Sequence, residues 1–157
     1  MNGFISYAHD DYRMFRSVRT QMKSVERAFG IRFWSDQRIN AGYVWDTEIR
    51  RHIDVADLFV LLVSPAFLAS DYIWDQELPA IISRRDSAKT VLVLPIVLTP
   101  CMWTLVAAHR QAVPTENGHL QPIADWKPQR NGYDAARGQI AAAIEAFYGR
   151  APKSLFV

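Results

Sequence analysis

The sequence has very little cysteine, since Cys101 is the one cysteine among 157 residues. A single thiol excludes an internal disulfide, and without a CxxC or Cys/His cluster nothing supports a structural zinc site. Long apolar runs are also missing, because none approaches the ~20 residues that cross a bilayer. The first residues contain neither a basic region nor an apolar segment of signal length. We therefore expect a cytoplasmic protein with no metal and no membrane partner.

Neither sign of charge dominates the chain. The 18 Lys and Arg residues against 16 Asp and Glu residues leave a net charge of +2, and the basic residues are scattered. A scattered set forms no stripe that could follow a phosphate backbone. The sequence therefore predicts no direct binding of nucleic acid.

Several catalytic motifs are absent as well. A dinucleotide-binding dehydrogenase needs a glycine-rich turn after its first strand, where this chain has Ser6-Tyr7-Ala8-His9, and no P-loop GxxxxGK[ST] occurs. The four histidines have no metal-ligand spacing, and no GxSxG serine accompanies them. A receiver domain needs acids at the end of the first strand, whereas Asp10 and Asp11 lie beyond it. These classes of protein are therefore disfavoured.

Alternating strand and helix patterns are what the sequence does contain. Apolar residues recur every three or four positions from Tyr12 to Phe29, which predicts a helix with Gly30 as its C-cap glycine. Apolar runs predict buried parallel strands, which cover residues 3–7, 31–34, 57–63, 90–98 and, more weakly, 120–126. This alternation with helices predicts an α/β, flavodoxin-like three-layer domain with a parallel sheet of about five strands.

Glu77 lies in one of the segments that follow the strand ends, where function collects in parallel sheets. Its neighbours Tyr72, Trp74 and Leu78 favour partial desolvation of the carboxylate, which raises a carboxyl pKa. Pro79 should kink or restart the helix because its ring clashes with the carbonyl four residues earlier. A solvated helix face is the other interpretation of Glu77.

Four motifs at predicted strand ends carry a resemblance to a known family. They are Phe4-Ile5-Ser6-Tyr7, the loop from Asp36 to Gly42 followed by Trp45, Leu62-Val63-Ser64-Pro65, and the run SDYIWDQEL at residues 70–78. In this order and spacing they resemble a bacterial TIR (Toll/interleukin receptor) domain over residues 2 to about 148. We therefore predict a TIR domain at residues 1–149, followed by a linker or the start of another domain at residues 150–157.

The resemblance implies a set of site residues. Glu77 matches the catalytic glutamate of members that cleave NAD, and residues 36–44 match the BB loop, with Gly42 as its hinge. The substrate-binding residues that the resemblance implies are Tyr7, His9, Asp36, Arg38 and Trp74. Within this set, Arg38 would meet the pyrophosphate and the Trp74 ring would stack on nicotinamide.

Two departures from the family pattern affect this assignment. Ala8 and His9 stand where some animal members have arginines, which weakens phosphate binding at that position. Many members have a tryptophan-cysteine pair before the glutamate, where this chain has Ile73-Trp74. The stacking residue is therefore displaced by one position.

The function implied by the resemblance is cleavage of the nicotinamide-ribose bond of NAD, giving nicotinamide and either ADP-ribose or a cyclic isomer. NAD is then a substrate, and no cofactor is needed. The family also implies self-association through TIR–TIR contacts, a fused or partner sensor domain, and a role in bacterial antiviral defence. Two alternatives stay open: a non-catalytic TIR–TIR interaction module, and an enzyme similar to nucleoside 2-deoxyribosyltransferases.

Overall fold

A computed structural model describes residues 1–36, 43–107 and 111–155, and for residues 43–45 it describes the backbone alone. Within these ranges the predicted alternation of strands and helices is confirmed. No helix among the described residues is long and apolar enough to cross a membrane.

Four parallel strands form the central sheet, in the order β2-β1-β3-β4. Their bounds are Asn2–Ser6 for β1, Arg32–Trp34 for β2, Leu58–Val63 for β3 and Leu92–Val97 for β4. Every residue of β3 is buried, as expected of a central strand that helices cover on both faces. The predicted parallel α/β fold is confirmed.

Helices cover both faces of this sheet. On one face the inward side chains of the strands, such as Ile5 and Val60, share a core with the long helices α1 (Tyr12–Phe29) and α5 (Gln129–Tyr148). On the other face Phe4 and Leu61 share a core with three helices. Those helices are α2 (Tyr43–Val55), α3 (Pro65–Ala69) and α4 (Leu78–Ser87). The alternation of β-strand side chains thus builds two cores and three layers.

The predicted end of the first helix is confirmed. Gly30 adopts a left-handed conformation with φ 66°, and its N–H bonds to the Glu26 carbonyl. A side chain at this position would be strained, so glycine is the residue that ends α1 and turns the chain into β2.

The prediction of a fifth strand over residues 120–126 is wrong. Residues Thr115–Glu116 (β5) and His119–Leu120 (β6) instead form a small antiparallel hairpin, and Ile123–Asp125 form a turn of 3-10 helix. Pro122 has no N–H to donate to a sheet, and Ile123 is buried in the core that α5 shares rather than in the sheet. The chain meets the edge of β4 earlier, where a single parallel bridge joins Val113 to Ile96.

The helix that carries Glu77 does restart at Pro79, as predicted. Residues Ile73–Glu77 form a π-helix, and the Leu78 N–H bonds to the Ile73 carbonyl five residues earlier. Pro79 then occupies the first turn of α4, where a missing N–H leaves no helical bond unmade. Such widened turns occur frequently at functional sites.

The two ends of the described chain lie together. The amino group of Met1 donates to the Gly30 carbonyl at 3.4 Å, and the Lys153 N–H donates to the Ala28 carbonyl at 2.8 Å. Both acceptors lie at the end of α1. This helix begins near the carboxyl end of β1 and runs back, so its last residues lie at the amino edge of the sheet.

Candidate active site

A cavity of about 710 Å³ opens at the carboxyl edge of the sheet. β1 ends at Ser6 and β2 ends two residues before Asp36, so the strand ends supply one wall. Helices α2, α3 and the π-helix supply the rest. The polar residues that line this cavity, counting tyrosine, are Ser6, Tyr7, His9, Asp10, Asp36, Asp46, Ser70, Tyr72 and Glu77.

Glu77 is the buried acid of this cavity, with 7% of its surface exposed. The Ser6 hydroxyl donates a hydrogen bond to its Oε2 at 2.5 Å, which joins the end of β1 to the π-helix. Burial raises the pKa of Glu77 to about 7, the Ser6 hydrogen bond opposes that rise, and the Asp36 carboxylate adds to it. At neutral pH the group is therefore present both as the acid and as the carboxylate.

Tyr7 forms a rigid part of the wall beside Glu77. Its ring stacks on Phe15 of α1 with centroids 3.9 Å apart, and its hydroxyl donates to the Asp36 carbonyl at 2.6 Å. Burial, with the Asp36 carboxylate next in effect, raises the pKa of Tyr7 above its usual range. The phenol therefore stays protonated, and it anchors the chain that follows β2.

His9 and Asp36 face each other at the rim of the cavity. The Nε2 atom of His9 lies 3.8 Å from Oδ2 of Asp36, and His9 is the more exposed of the two. A protonated imidazole would form an ion pair here. The pair places a hydrogen-bond donor and a carboxylate side by side at the rim.

Tyr72 lines the opposite side of the cavity with 40% of its surface exposed. Its hydroxyl donates to Asp46 Oδ1 at 3.2 Å, and Arg50 Nε lies 3.4 Å from Asp46 Oδ2. Arg50 also donates to Gln76 Oε1 at 2.7 Å. Side chains of α2 are thus joined to both Tyr72 and the π-helix.

The electrostatic character of the cavity is acidic. Glu77, Asp36, Asp46 and Asp10 all line it, and its described lining includes no lysine or arginine. Over the ranges that the structure covers, no group of three or more His, Cys, Asp or Glu side chains could hold a metal ion. The arrangement can stabilise positive charge that develops on a bound molecule.

Comparison with known proteins identifies the family. The sequence profile of the TIR domain matches residues 4–140. This chain belongs to the TIR domain family. It is 33% identical over 152 residues to the uncharacterized protein y4lF of Sinorhizobium fredii, a match that covers 96% of this chain and 45% of that protein. This chain thus spans less than half the length of that relative.

A solved structure shares the fold. The crystal structure of the RPS4 and RRS1 TIR domain heterodimer superimposes with a TM-score of 0.60 and 11% sequence identity, covering 96% of this chain and 100% of the other. At this low identity the likeness shows the fold alone. It agrees with the three-layer α/β architecture built by β1 to β4 and their helices.

Four of the site residues predicted from the sequence line one cavity of this TIR domain. They are Glu77, Tyr7, His9 and Asp36. Arg38 and the loop hinge Gly42 lie outside the described residues. Whether the four contact a substrate stays a prediction.

Trp74 is not among the residues that line this cavity. It lines a second, mostly apolar cavity of about 470 Å³, and its indole N–H donates to the Leu68 carbonyl at 2.7 Å. Because Ile73 and Glu77 face the first cavity, the residue after Ile73 points to another side of the helix. The predicted stacking of Trp74 on nicotinamide therefore has no geometric support.

Three residues of the site escaped the sequence analysis. Ser6 was noted only as part of a motif, although a serine that ends a buried strand is placed to meet a helix from the other side of the sheet. Tyr72 was noted only as an apolar neighbour of Glu77. Asp46 lies two residues after the predicted BB loop, and nothing in its local sequence indicated a cavity-facing carboxylate.

Proposed function

We propose that this TIR domain cleaves the nicotinamide-ribose bond of NAD, with Glu77 as the catalytic residue. The observation that carries the proposal is the Glu77 carboxyl group, 7% exposed, at the edge of a cavity beyond the strand ends. A strongly perturbed acid in a cleft is a general indicator of a functional site. The cavity of about 710 Å³ is also within the usual range for small-molecule sites.

The proposed reaction breaks the bond between ribose C1′ and the nicotinamide nitrogen. The electron pair of this bond leaves with nicotinamide, which departs as a neutral molecule, and positive charge develops on C1′ and the ring oxygen. The Glu77 carboxylate stabilises this charge, as carboxylates do in glycoside hydrolysis. Attack of water on C1′ then gives ADP-ribose and releases one proton, whereas attack by a nitrogen of the substrate's own adenine gives a cyclic isomer.

The charge of the cavity supports a cationic group as the part of the substrate that enters it. Four carboxyl groups line the cavity, of which Asp46 is paired with Arg50 of α2, and the described lining includes no lysine or arginine. The nicotinamide ring of NAD is positively charged. The negatively charged pyrophosphate would be repelled and would lie toward the outside. We assign its binding to Arg38, and we assign contacts with the ribose and nicotinamide to Tyr7, His9 and Asp36.

We infer that the active form is an assembly, in which TIR–TIR contacts complete the substrate site and the Gly42 hinge lets the BB loop move. A sensor domain, fused or separate, would trigger this assembly. A role in bacterial antiviral defence follows from the family resemblance only. A TIR domain that docks on other TIR domains without catalysis is the second candidate.

The test is nicotinamide release from NAD by the wild-type chain, Glu77→Gln and Asp75→Asn. Asp75 lies on the same π-helix but is exposed, so it controls for a change of charge in this segment. We expect Glu77→Gln to lower kcat/KM by at least roughly 10²-fold and Asp75→Asn to leave it unchanged.

The pH profile of the wild-type chain gives a second measure. Because the carboxylate is the reactive form and the pKa of Glu77 is about 7, kcat/KM should fall about tenfold per pH unit below pH 7. If the wild-type chain releases no nicotinamide at any concentration, or if Glu77→Gln stays fully active, the catalytic proposal is wrong. The non-catalytic docking module is then the remaining candidate. Cleavage of deoxynucleosides in preference to NAD would indicate the deoxyribosyltransferase alternative.

A further inference from the structure

Ser6 and Glu77 form a buried polar pair that crosses from the sheet to the π-helix. Ser6 is 2% exposed and Glu77 is 7% exposed, and the two residues are separated by 71 positions in the sequence. The hydroxyl donates to Oε2, one of the two carboxylate oxygens. Charge-assisted hydrogen bonds of this kind are roughly twice as strong as those between neutral groups.

The ionisable groups that line the cavity together with Glu77 include little else that could stabilise a negative charge. From the end of β1 come Tyr7, His9 and Asp10, from the residue after β2 comes Asp36, from α2 comes Asp46, and from the turn before the π-helix comes Tyr72. Three of these six groups are carboxylic acids. Among the described residues, Ser6 supplies the one side-chain donor that bonds to the Glu77 carboxylate, and Glu77 is 7% exposed.

We propose that Ser6 is a positioning residue for Glu77, holding Oε2 so that the side chain faces the cavity as a carboxylate rather than as a carboxylic acid. This inference rests on the proposed function, and it adds to that function a control of the site by pH. Ser6 acts through Glu77 and is not proposed to contact the substrate.

The inference makes a specific prediction for Ser6→Ala. Loss of the hydroxyl removes the hydrogen bond that opposes the raised pKa of Glu77, so the pKa rises further. The acid limb of the kcat/KM profile should move to higher pH by about one unit or more. For a shift of one unit, activity should be about fivefold lower at pH 7 and about tenfold lower well below pH 7. It should recover toward the wild-type value at high pH. Damage to the fold alone would lower activity at every pH.

Ser35→Ala is the matched control. Ser35 is also a buried serine, 9% exposed, one residue beyond the end of β2, and its hydroxyl has no hydrogen-bond partner among the described residues. Its replacement should leave the pH profile unchanged. Ser6→Thr keeps a hydroxyl at position 6 and should restore the acid limb toward the wild-type position.

A second readout does not depend on activity. Carbon-13 NMR of the glutamate side-chain carboxyl groups, with the Glu77 signal identified by its loss in Glu77→Gln, gives the titration midpoint directly. A higher midpoint in Ser6→Ala supports the inference, and equal midpoints with equal acid limbs overturn it. If the wild-type chain releases no nicotinamide, the proposed function fails, while the NMR titration still decides the role of Ser6.

Discussion

At the scale of single residues, Glu77 links the stability of the domain to its chemistry. Its pKa is about 7 in the folded chain, against 4.5 for an unperturbed glutamic acid. The folded state therefore binds this proton more tightly than the unfolded state does. The contribution of Glu77 to the free energy of unfolding is therefore largest below pH 4.5, and it decreases as the pH rises toward 7.

Replacing Glu77 should therefore stabilise the folded chain at alkaline pH. Glu77→Gln removes the cost of a buried carboxylate and keeps an acceptor for the Ser6 hydroxyl. We expect the free energy of unfolding at pH 8 to rise by up to about 3 kcal/mol, and by less than about 1 kcal/mol at pH 5. Denaturant titrations at the two pH values measure this, with Asp75→Asn as the control. An equal change at both pH values would contradict the argument.

The residues of the site differ in how far the sequence could predict them. The strand pattern places Tyr7 and the segment that contains Glu77 at one edge, where the ends of parallel strands meet. The choice of Glu77 within that segment came from the family resemblance. The direction of the Trp74 side chain could not be predicted, because it depends on the π-helix at Ile73–Glu77. No local sequence pattern indicates that π-helix. The bond between Ser6 and Glu77 joins residues 71 positions apart and became visible only in the fold.

At the scale of elements, α5 contains two glycines in very different surroundings. A Cβ at Gly132 would lie 2.8 Å from the ring of Trp126 and 3.1 Å from the Cα of Ile123. A Cβ at Gly138 would meet nothing within 4 Å. The first glycine therefore allows the 3-10 turn at Ile123–Asp125 to pack closely on the helix, and the second has no such role.

The two glycines should respond to alanine in opposite directions. Gly132→Ala forces the ring and the backbone of the turn apart and should destabilise the chain by about 1–3 kcal/mol. Gly138→Ala adds a better helix former in open space and should stabilise it by about 0.5–1 kcal/mol. Thermal unfolding of the two variants measures the difference. Equal shifts in Tm for the two variants would contradict this prediction, because they would mean that the 3-10 turn moves to make room for the added methyl group.

Elements with a strong pattern were predicted well, and irregular ones were not. The run from Leu58 to Val63 is apolar throughout and predicts a buried strand, and β3 lies there. Residues 120–126 are also partly apolar, yet Pro122 and the hairpin before it keep them out of the sheet. Ile123 is buried because it packs beneath α5. A local sequence pattern cannot distinguish an apolar residue buried in this way from one buried in a strand.

At the scale of the whole molecule, our proposal makes activity depend on self-association. If neighbouring subunits complete the site, the rate of nicotinamide release per molecule should rise with protein concentration, because a larger fraction is assembled. Assays over a wide concentration range, with light scattering on the same samples, measure both quantities. A constant rate per molecule across the monomer-to-oligomer transition would contradict the need for assembly.

The contacts that hold residues 1 and 153 near the end of α1 have a practical consequence. Both attachment points lie at the edge of the sheet opposite the cavity mouth. A tag, surface tether or fused reporter attached beside Met1 or Lys153 would therefore leave the entrance for small molecules clear. A short peptide connecting these two residues should also be tolerated, which makes the domain suitable for circular permutation.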